Sequence, residues 1–166
     1  CGVMGINNTE VPYVVLTLTM PGGHLSDAKN LSKAGLATLF ASMMNEDTKN
    51  YTTEQFTLAL QKLGSSIRVS SSVDGIVFSV QSLKNNFVKT MALLQERILN
   101  ARFTSDAFSL NKKQRLESFK LQKSQPASIA STVFAKINYG AGNVLGIADG
   151  GTEQTVSNIT LADINN

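Results

Sequence analysis

The chain has 166 residues, of which 42% are hydrophobic and 16% are charged, and its formal net charge is +3. This length and composition suit one globular domain with a sizeable core, so we expect residues 1–166 to form a single domain. The charge is too small to favour a nucleic-acid partner, and no apolar stretch has the length of a transmembrane segment. A single Cys and a single His cannot build a disulfide or a metal site of their own.

Two strands are the first predicted elements, over residues 2–6 and 13–20, with turn residues at positions 7–10 between them. The core face of the second strand is predicted to carry Val14, Leu16, Leu18 and Met20. Pro21-Gly22-Gly23 ends that strand. Because the chain opens directly in a strand, we expect it to be a piece of a longer protein. Its terminal residue, Cys1, is also compatible with a lipid anchor.

Two helices are predicted next. Residues 31–45 are rich in Ala, Leu and Met, which predicts a helix that is buried on all sides, with Met43 and Met44 as core residues. Thr52 and Gln55 match a capping box that starts the second helix, and Gly64 suits its left-handed end. Glu46-Asp47, between the helices, is interpreted as a solvated loop rather than an acid–base pair.

Asp74-Gly75 predicts a hairpin over residues 66–83 with a two-residue turn. With this turn the apolar pairs are Val73 with Ile76, Ser71 with Phe78 and Val69 with Val80, and the polar pairs are Ser72 with Val77, Ser70 with Ser79 and Arg68 with Gln81. One face is therefore mostly apolar and the other mostly polar. The polar face offers weak substrate-binding candidates, Ser70, Ser72 and Ser79, although a solvated sheet face is the favoured interpretation.

Helices fill the rest of the chain. Asn85 or Asn86 caps a helix with the apolar stripe Phe87, Met91, Leu94 and Ile98. Thr104 to Asp106 caps a long basic helix that reaches about Gln125, and its cations are interpreted as a solvated face: Lys112, Lys113, Arg115, Lys120 and Lys123. Pro126 starts another helix, with four residues predicted to point inward: Ile129, Val133, Phe134 and Ile137. Thr160 with Asp163 marks a last helix start. This order predicts an α+β fold, an antiparallel sheet with helices packed on one face.

Several short motifs occur in a fixed order that covers nearly the whole chain. They are Val11-Pro12, Pro21-Gly22-Gly23, Lys33-Ala34-Gly35-Leu36-Ala37, Met43-Met44-Asn45-Glu46-Asp47-Thr48, Leu63-Gly64, Asp74-Gly75, Leu99-Asn100-Ala101-Arg102-Phe103, Tyr139-Gly140 and Leu161-Ala162-Asp163. In this order and spacing the sequence resembles the insulinase-type (pitrilysin-like) zinc metallopeptidases and their mitochondrial processing relatives.

The resemblance implies where an active site would lie. In that family the helix after Gly-Leu-Ala carries His-x-x-Glu-His, whose two His bind zinc while the Glu acts as general base. Those His positions fall on Thr38 and Ser42, the Glu position falls on Ala41, and a third ligand would fall near Ser118, beside Glu117. We therefore expect no catalytic residue and no metal in this chain, and zinc in a partner half-domain.

The family pairs a metal-bearing domain with a similarly folded domain that lacks the motif, in one chain or as sister subunits, and the two enclose a chamber for peptides. This chain resembles the second kind: a non-catalytic partner in a zinc metalloendopeptidase, which could contact peptide by strand addition at a sheet edge. The alternative is a catalytically inactive scaffold subunit. The resemblance also implies a further strand and helix after Asn166, and a periplasmic location, since bacterial relatives are often exported.

Other chemistries find little support. His24 follows a glycine turn, so we expect a surface residue rather than a metal ligand. Ser42 and His24 do not predict a serine hydrolase, because no carboxylate is placed by the sequence to orient them.

Overall fold

A three-stranded antiparallel sheet, in the order β1-β3-β2, forms one layer of the protein. The structure is a computed structural model that describes residues 2–7 and 10–165. Its strands are β1 (Tyr13–Pro21), β2 (Ser66–Ser71) and β3 (Gly75–Leu83). Its helices are α1 (Gly23–Ser26), α2 (Leu36–Met43), α3 (Thr53–Lys62), α4 (Phe87–Leu99), α5 (Ser105–Gln122), α6 (Pro126–Tyr139), α7 (Glu153–Ser157) and α8 (Leu161–Asn165). The predicted α+β architecture is confirmed.

β1 carries part of the core face that was predicted for it. Leu16 and Leu18 pack against the main hydrophobic cluster, whereas Val15, on the opposite face, is 65% exposed. The strand predicted for residues 2–6 is wrong, because this segment is irregular and exposed. In the described ranges no strand pairs with the outer edge of β1, so residues 2–6 do not extend the sheet. Cys1 and two residues of the predicted turn, Asn8 and Thr9, lie outside the described residues.

The hairpin between β2 and β3 forms with a register that differs from the prediction by two residues. Val69 pairs with Phe78 rather than Val80, and Val73-Asp74 form the centre of the turn. Among the described residues no side-chain-bearing residue has a positive φ, which excludes the predicted type I′ turn. Because side chains alternate with a period of two, this shift leaves the apolar face apolar.

Contacts from outside the hairpin fix this turn. Three main-chain N–H groups of residues 22–25 donate to the carbonyl oxygens of residues 72–74, over 2.8 to 3.2 Å. Within the turn, the Gly75 N–H donates to Ser72 Oγ over 3.1 Å. A dipeptide rule contains none of this long-range information, which explains why it placed the turn incorrectly.

Helix α2 lies between two hydrophobic clusters, as its apolar composition predicts. Ala41 and Met44 belong to the cluster beneath the sheet, while Leu39 and Met43 belong to a second cluster shared with α5, α7 and α8. Met43 and Met44 are 0% and 5% exposed, which confirms their predicted place in the core.

The start of α2 is later than predicted. Two 3₁₀ turns occupy Asp27–Lys29 and Leu31–Lys33. Gly35 then adopts a left-handed conformation with φ of 96°, and the helix begins at Leu36.

The capping box at the start of α3 is confirmed, since the Thr52 and Gln55 side chains each bond the main chain of the other. Gly64 follows the helix with φ of 58°, as its predicted role requires.

The interpretation of Glu46-Asp47 as a merely solvated loop is wrong. Asp47 Oδ1 accepts hydrogen bonds from the Thr53 N–H and Oγ1, over 2.7 and 2.9 Å, and so anchors the first turn of α3.

The caps of the later helices agree with the sequence. Thr104 caps α5 through the Ala107 N–H, α6 begins at Pro126, and Thr160 bonds Asp163 before α8.

The prediction that the apolar stripe of α6 points inward is wrong. Ile129 and Val133 are each 49% exposed, Phe134 is 68% exposed and Ile137 is 79% exposed. The described elements leave this side of α6 uncovered. No helix in the described ranges is long and apolar enough to cross a membrane.

Candidate functional site

The three positions to which the resemblance assigns the zinc motif lie on α2, and the hydroxyl groups at two of them already donate to main-chain carbonyl oxygens. Thr38 Oγ1 donates to the Asp149 carbonyl oxygen over 2.9 Å, and Ser42 Oγ donates to the Thr38 carbonyl oxygen over 3.0 Å. Ala41 is 2% exposed and brings no polar group. His, Cys and carboxylate side chains bind zinc in proteins, and none stands at these positions.

The position of the third ligand lies on α5 and is equally unsuited to a metal. Ser118 Oγ donates to the Arg115 carbonyl oxygen over 2.7 Å, and the neighbouring Glu117 is exposed. Across residues 2–7 and 10–165, no group of three or more His, Cys, Asp or Glu could hold a metal ion. The side chains that replace the family ligands therefore do not fit zinc.

A groove of about 590 Å³ runs between α2 and the edge strand β2. Thr38, Ala41 and Ser42 line one wall, so the emptied motif positions face this space. Residues 67–71 of β2 line it from the sheet side, and Arg97 of α4 also borders it. A groove therefore lies in front of the positions to which the resemblance assigns the zinc motif.

The edge of β2 is partly closed by one side chain. Asn45 Nδ2 donates to the Val69 carbonyl oxygen over 2.8 Å, and the Val69 N–H donates to Asn45 Oδ1 over 3.0 Å. Asn45 Nδ2 also donates to the Ala41 carbonyl oxygen over 2.8 Å. The amide therefore pairs with Val69 as a neighbouring strand would, and no added strand can pair with Val69 while this contact holds.

Arg97 is the most buried cation of the groove, at 4% exposed. Its Nη1 donates to the carbonyl oxygens of Met44 and Glu46, each over 2.8 Å, and its guanidinium lies 3.9 Å from the Phe56 ring centroid. Its Nε is buried without a hydrogen-bond partner among the described residues. Burial lowers the pKa of Arg97 to about 10, so the group remains a cation at neutral pH.

The groove is basic as well as polar. Its charged lining residues are Arg68 and Arg97, and no carboxylate lines it. Arg68 lies on the exposed face of β2, one residue pair away from Ser70. The side chains of Arg68 and Ser70 make no hydrogen bond or ion pair with the described part of the chain, so both are available to a ligand.

The three hairpin serines are not brought together as predicted. Ser70 lines the groove and pairs with Val77 rather than Ser79. Ser79 lies on the central strand opposite Arg68. Ser72 belongs to the turn, where its hydroxyl donates to Gly75 O over 3.0 Å. Of the three, Ser70 alone is a groove residue, and the pairing that joined it to Ser79 is wrong.

His24 is not a surface residue, contrary to expectation. It is 1% exposed, and its Nε2 lies 2.8 Å from the Val144 carbonyl oxygen and 2.9 Å from that of Ile147. Its Nδ1 lies 3.3 Å from Asp27 Oδ2, a carboxylate that the sequence did not identify as its partner. Since both ring nitrogens are engaged and Ser42 bonds Thr38, His24 and Ser42 form no catalytic pair.

The basic face of α5 is more than a solvated surface. Lys112 Nζ donates to the carbonyl oxygens of Ser157 and Ile159 over 2.8 and 2.7 Å. Arg115 Nε donates to the Gly150 carbonyl oxygen over 3.1 Å. These cations hold the loop and short helix that follow α6 against α5, which makes their role structural.

Comparison with known proteins agrees with the emptied site. The family described as Insulinase (Peptidase family M16) matches residues 3–143. A curated relative, the non-peptidase homolog YmxG of Helicobacter pylori, is 30% identical over 143 residues, which is 86% of this chain and 32% of that protein. The chain therefore spans about a third of the length of this relative.

Solved structures show the same fold. An inactive peptidase M16 domain from Pseudomonas fluorescens matches with a TM-score of 0.87 and 26% identity, over 96% of this chain and 38% of that one. A protease from Helicobacter pylori matches with a TM-score of 0.82 and 18% identity, over 93% of this chain and 37% of that one. With its motif positions occupied by Thr38, Ala41 and Ser42, the chain belongs to the insulinase family (peptidase family M16) as a non-catalytic domain of that fold.

Proposed function

We propose that this domain is the non-catalytic partner of a zinc-dependent peptidase domain, and that its groove forms one wall of a chamber for peptides. The observation that carries the proposal is the retained groove. Thr38, Ala41 and Ser42 stand at the motif positions in place of catalytic side chains, and the space in front of them is open and polar.

The relatives support a partner role over an independent enzyme. One solved relative is described as an inactive peptidase M16 domain, and this chain covers 38% of it. A domain of this size would act beside a second domain that supplies the zinc, either in the same chain or as a sister subunit.

The proposal is tested with the purified chain and with the catalytic half encoded in its parent gene or a neighbouring gene. Metal analysis of the chain alone should find no stoichiometric zinc, and the chain alone should cleave no unfolded peptide. Adding the catalytic half should produce a stable complex and zinc-dependent peptide cleavage. Stoichiometric zinc in the isolated chain, or cleavage by it alone, would overturn the proposal.

An inactive scaffold subunit is the second candidate, and the curated relative favours it, because that protein is named a non-peptidase homolog. The two candidates differ in the parent protein. A partner half with His-x-x-Glu-His and a downstream Glu supports the peptidase, whereas a complex in which neither half carries the motif supports the scaffold. Peptide cleavage by the purified complex separates them directly.

A further inference from the structure

We propose that the groove between α2 and β2 binds a peptide through a carboxylate, which Arg68 holds while Arg97 adds positive charge to the wall of the groove. The inference rests on the proposed function in one respect, namely that the ligand is a peptide. It adds the chemical group that is recognised and the two side chains that hold it, Arg68 and Ser70.

The charge of the groove favours an anion. Both charged residues that line it are arginines, and no lining residue is acidic. Arginine presents a planar fork of donors that matches the two oxygens of a carboxylate. Ser70 lies beside Arg68 on the same face of β2, and its uncommitted hydroxyl can donate a further hydrogen bond to the same group.

Arg97 is a fixed cation in the wall of the groove. Nη1 is fixed by two carbonyl oxygens and the ring of Phe56 stacks against the guanidinium, so the group is held in one orientation. Its buried Nε nonetheless has no partner in the described structure. That atom is closed to a ligand, so Arg97 acts on the groove through its positive charge, which the Glu46 carboxylate partly balances.

The Asn45 amide explains why recognition would depend on a charged group. In an antiparallel edge strand, alternate residues direct their main-chain groups outward, and on β2 one of these is Val69. Asn45 already pairs with Val69, which interrupts any continuous ladder along β2. A peptide in this groove therefore gains little from strand addition and more from an ionic contact.

The carboxylate can come from a peptide C-terminus or from an acidic side chain, and four labelled peptides separate these sources. They share one sequence and combine a Glu or a Gln at an internal position with a free or an amidated C-terminus. Fluorescence anisotropy with the purified chain measures each affinity. We expect peptides with the recognised carboxylate to bind about tenfold more tightly than the fully neutral peptide, and this difference to shrink as salt concentration rises.

Two groove variants and one matched control locate the site. Arg68→Gln removes an exposed groove cation, and Ser42→Glu places a carboxylate in the groove, so each should abolish the preference for the acidic peptide. Arg102→Gln removes the same charge outside the groove, where the side chain is 60% exposed, and should preserve the preference. Circular dichroism checks that each variant is folded. Arg97 itself is not replaced, because it is buried and bonds two main-chain carbonyl oxygens.

The outcomes are distinct from those of the zinc and cleavage experiments. Equal affinity for all four peptides, no binding of any of them, or equal losses in Arg68→Gln and Arg102→Gln would each overturn carboxylate recognition. The partner role would still be decided by complex formation and cleavage with the catalytic half.

Discussion

His24 Nε2 lies 2.8 Å from the carbonyl oxygen of Val144, so the segment after β1 is tied to a residue 120 positions further along the chain. Because Nε2 faces two carbonyl oxygens, which only accept, it carries a proton. On the other side of the ring, the Asp27 carboxylate lies 3.3 Å from Nδ1 and accepts the Gly35 N–H over 2.8 Å. One imidazole and one carboxylate thus join α1, the start of α2 and the loop after α6.

Replacing His24 with Leu should lower the free energy of unfolding by about 2 to 4 kcal/mol, because buried acceptors would lose their donors. Urea unfolding followed by circular dichroism measures this change. Leu25→Ala is the matched control, since Leu25 is the next residue in α1 and is 43% exposed. Similar losses in the two variants would show that the His24 network contributes nothing special.

The close approach of Gly35 to the loop at Gly150 makes a second prediction. Gly35 has φ of +96°, and a Cβ there would lie 2.6 Å from the Gly150 carbonyl oxygen. Gly35→Ala should therefore cost at least about 3 kcal/mol of stability, from backbone strain and steric overlap together.

Gly64 offers the control for Gly35, because its φ is +58° and its added Cβ would meet only the Leu83 side chain, at 3.2 Å. Gly64→Ala should cost about 1 to 2 kcal/mol, the strain alone. Thermal unfolding of both variants separates the two contributions. A larger loss in Gly64→Ala would contradict the steric argument.

Loss of the Asn45 amide should make the protein self-associate. Asn45→Ala leaves the N–H and C=O of Val69 unpaired on an exposed edge, and open edges pair with other strands. Sedimentation velocity should show a concentration-dependent dimer or larger species, while the parent chain under the same conditions associates less.

Asn138→Ala is the matched control for Asn45→Ala, since the Asn138 side chain donates, within the described part of the chain, only to the Phe134 carbonyl oxygen of its own helix. That variant should sediment like the parent chain. If both variants associate to the same extent, closure of the β2 edge by Asn45 is refuted.

Local features of this fold were predictable, and long-range ones were not. The Thr52–Gln55 capping box and the Thr104 cap depend on residues three positions apart, so sequence spacing contains them. The Asn45–Val69 contact joins residues 24 positions apart, and His24–Val144 joins residues 120 apart. No periodicity encodes such pairs.

In the candidate site, too, the local features were predictable from the sequence and the long-range ones were not. The family motif located Thr38, Ala41 and Ser42, because a helix fixes their relative positions. Arg97 was missed, although a signal existed: a cation three residues after Leu94, next to the apolar stripe of its helix. The stripe of α6 was identified but its burial was not, since amphipathicity shows which face is apolar and not what covers it.

A pH dependence follows from Asp163, which accepts hydrogen bonds from Lys33 and from the N–H and hydroxyl of Thr160. The bond from Lys33, with those from Thr160, lowers the pKa of Asp163 from 3.8 to about 2. A carboxyl whose pKa is lower in the folded state stabilises the protein above its unfolded pKa. That contribution is lost as the pH falls through the folded pKa, so the window lies between about pH 4 and about pH 2.

The measurement compares the parent chain with Asp163→Asn by urea unfolding across this range. The parent should be more stable above about pH 5, by a constant margin, and the margin should shrink steadily towards about pH 2 as Asp163 is protonated. A margin for Asp163→Asn that persists undiminished at about pH 2 would mean that the Lys33–Asp163 pair contributes nothing through its charge.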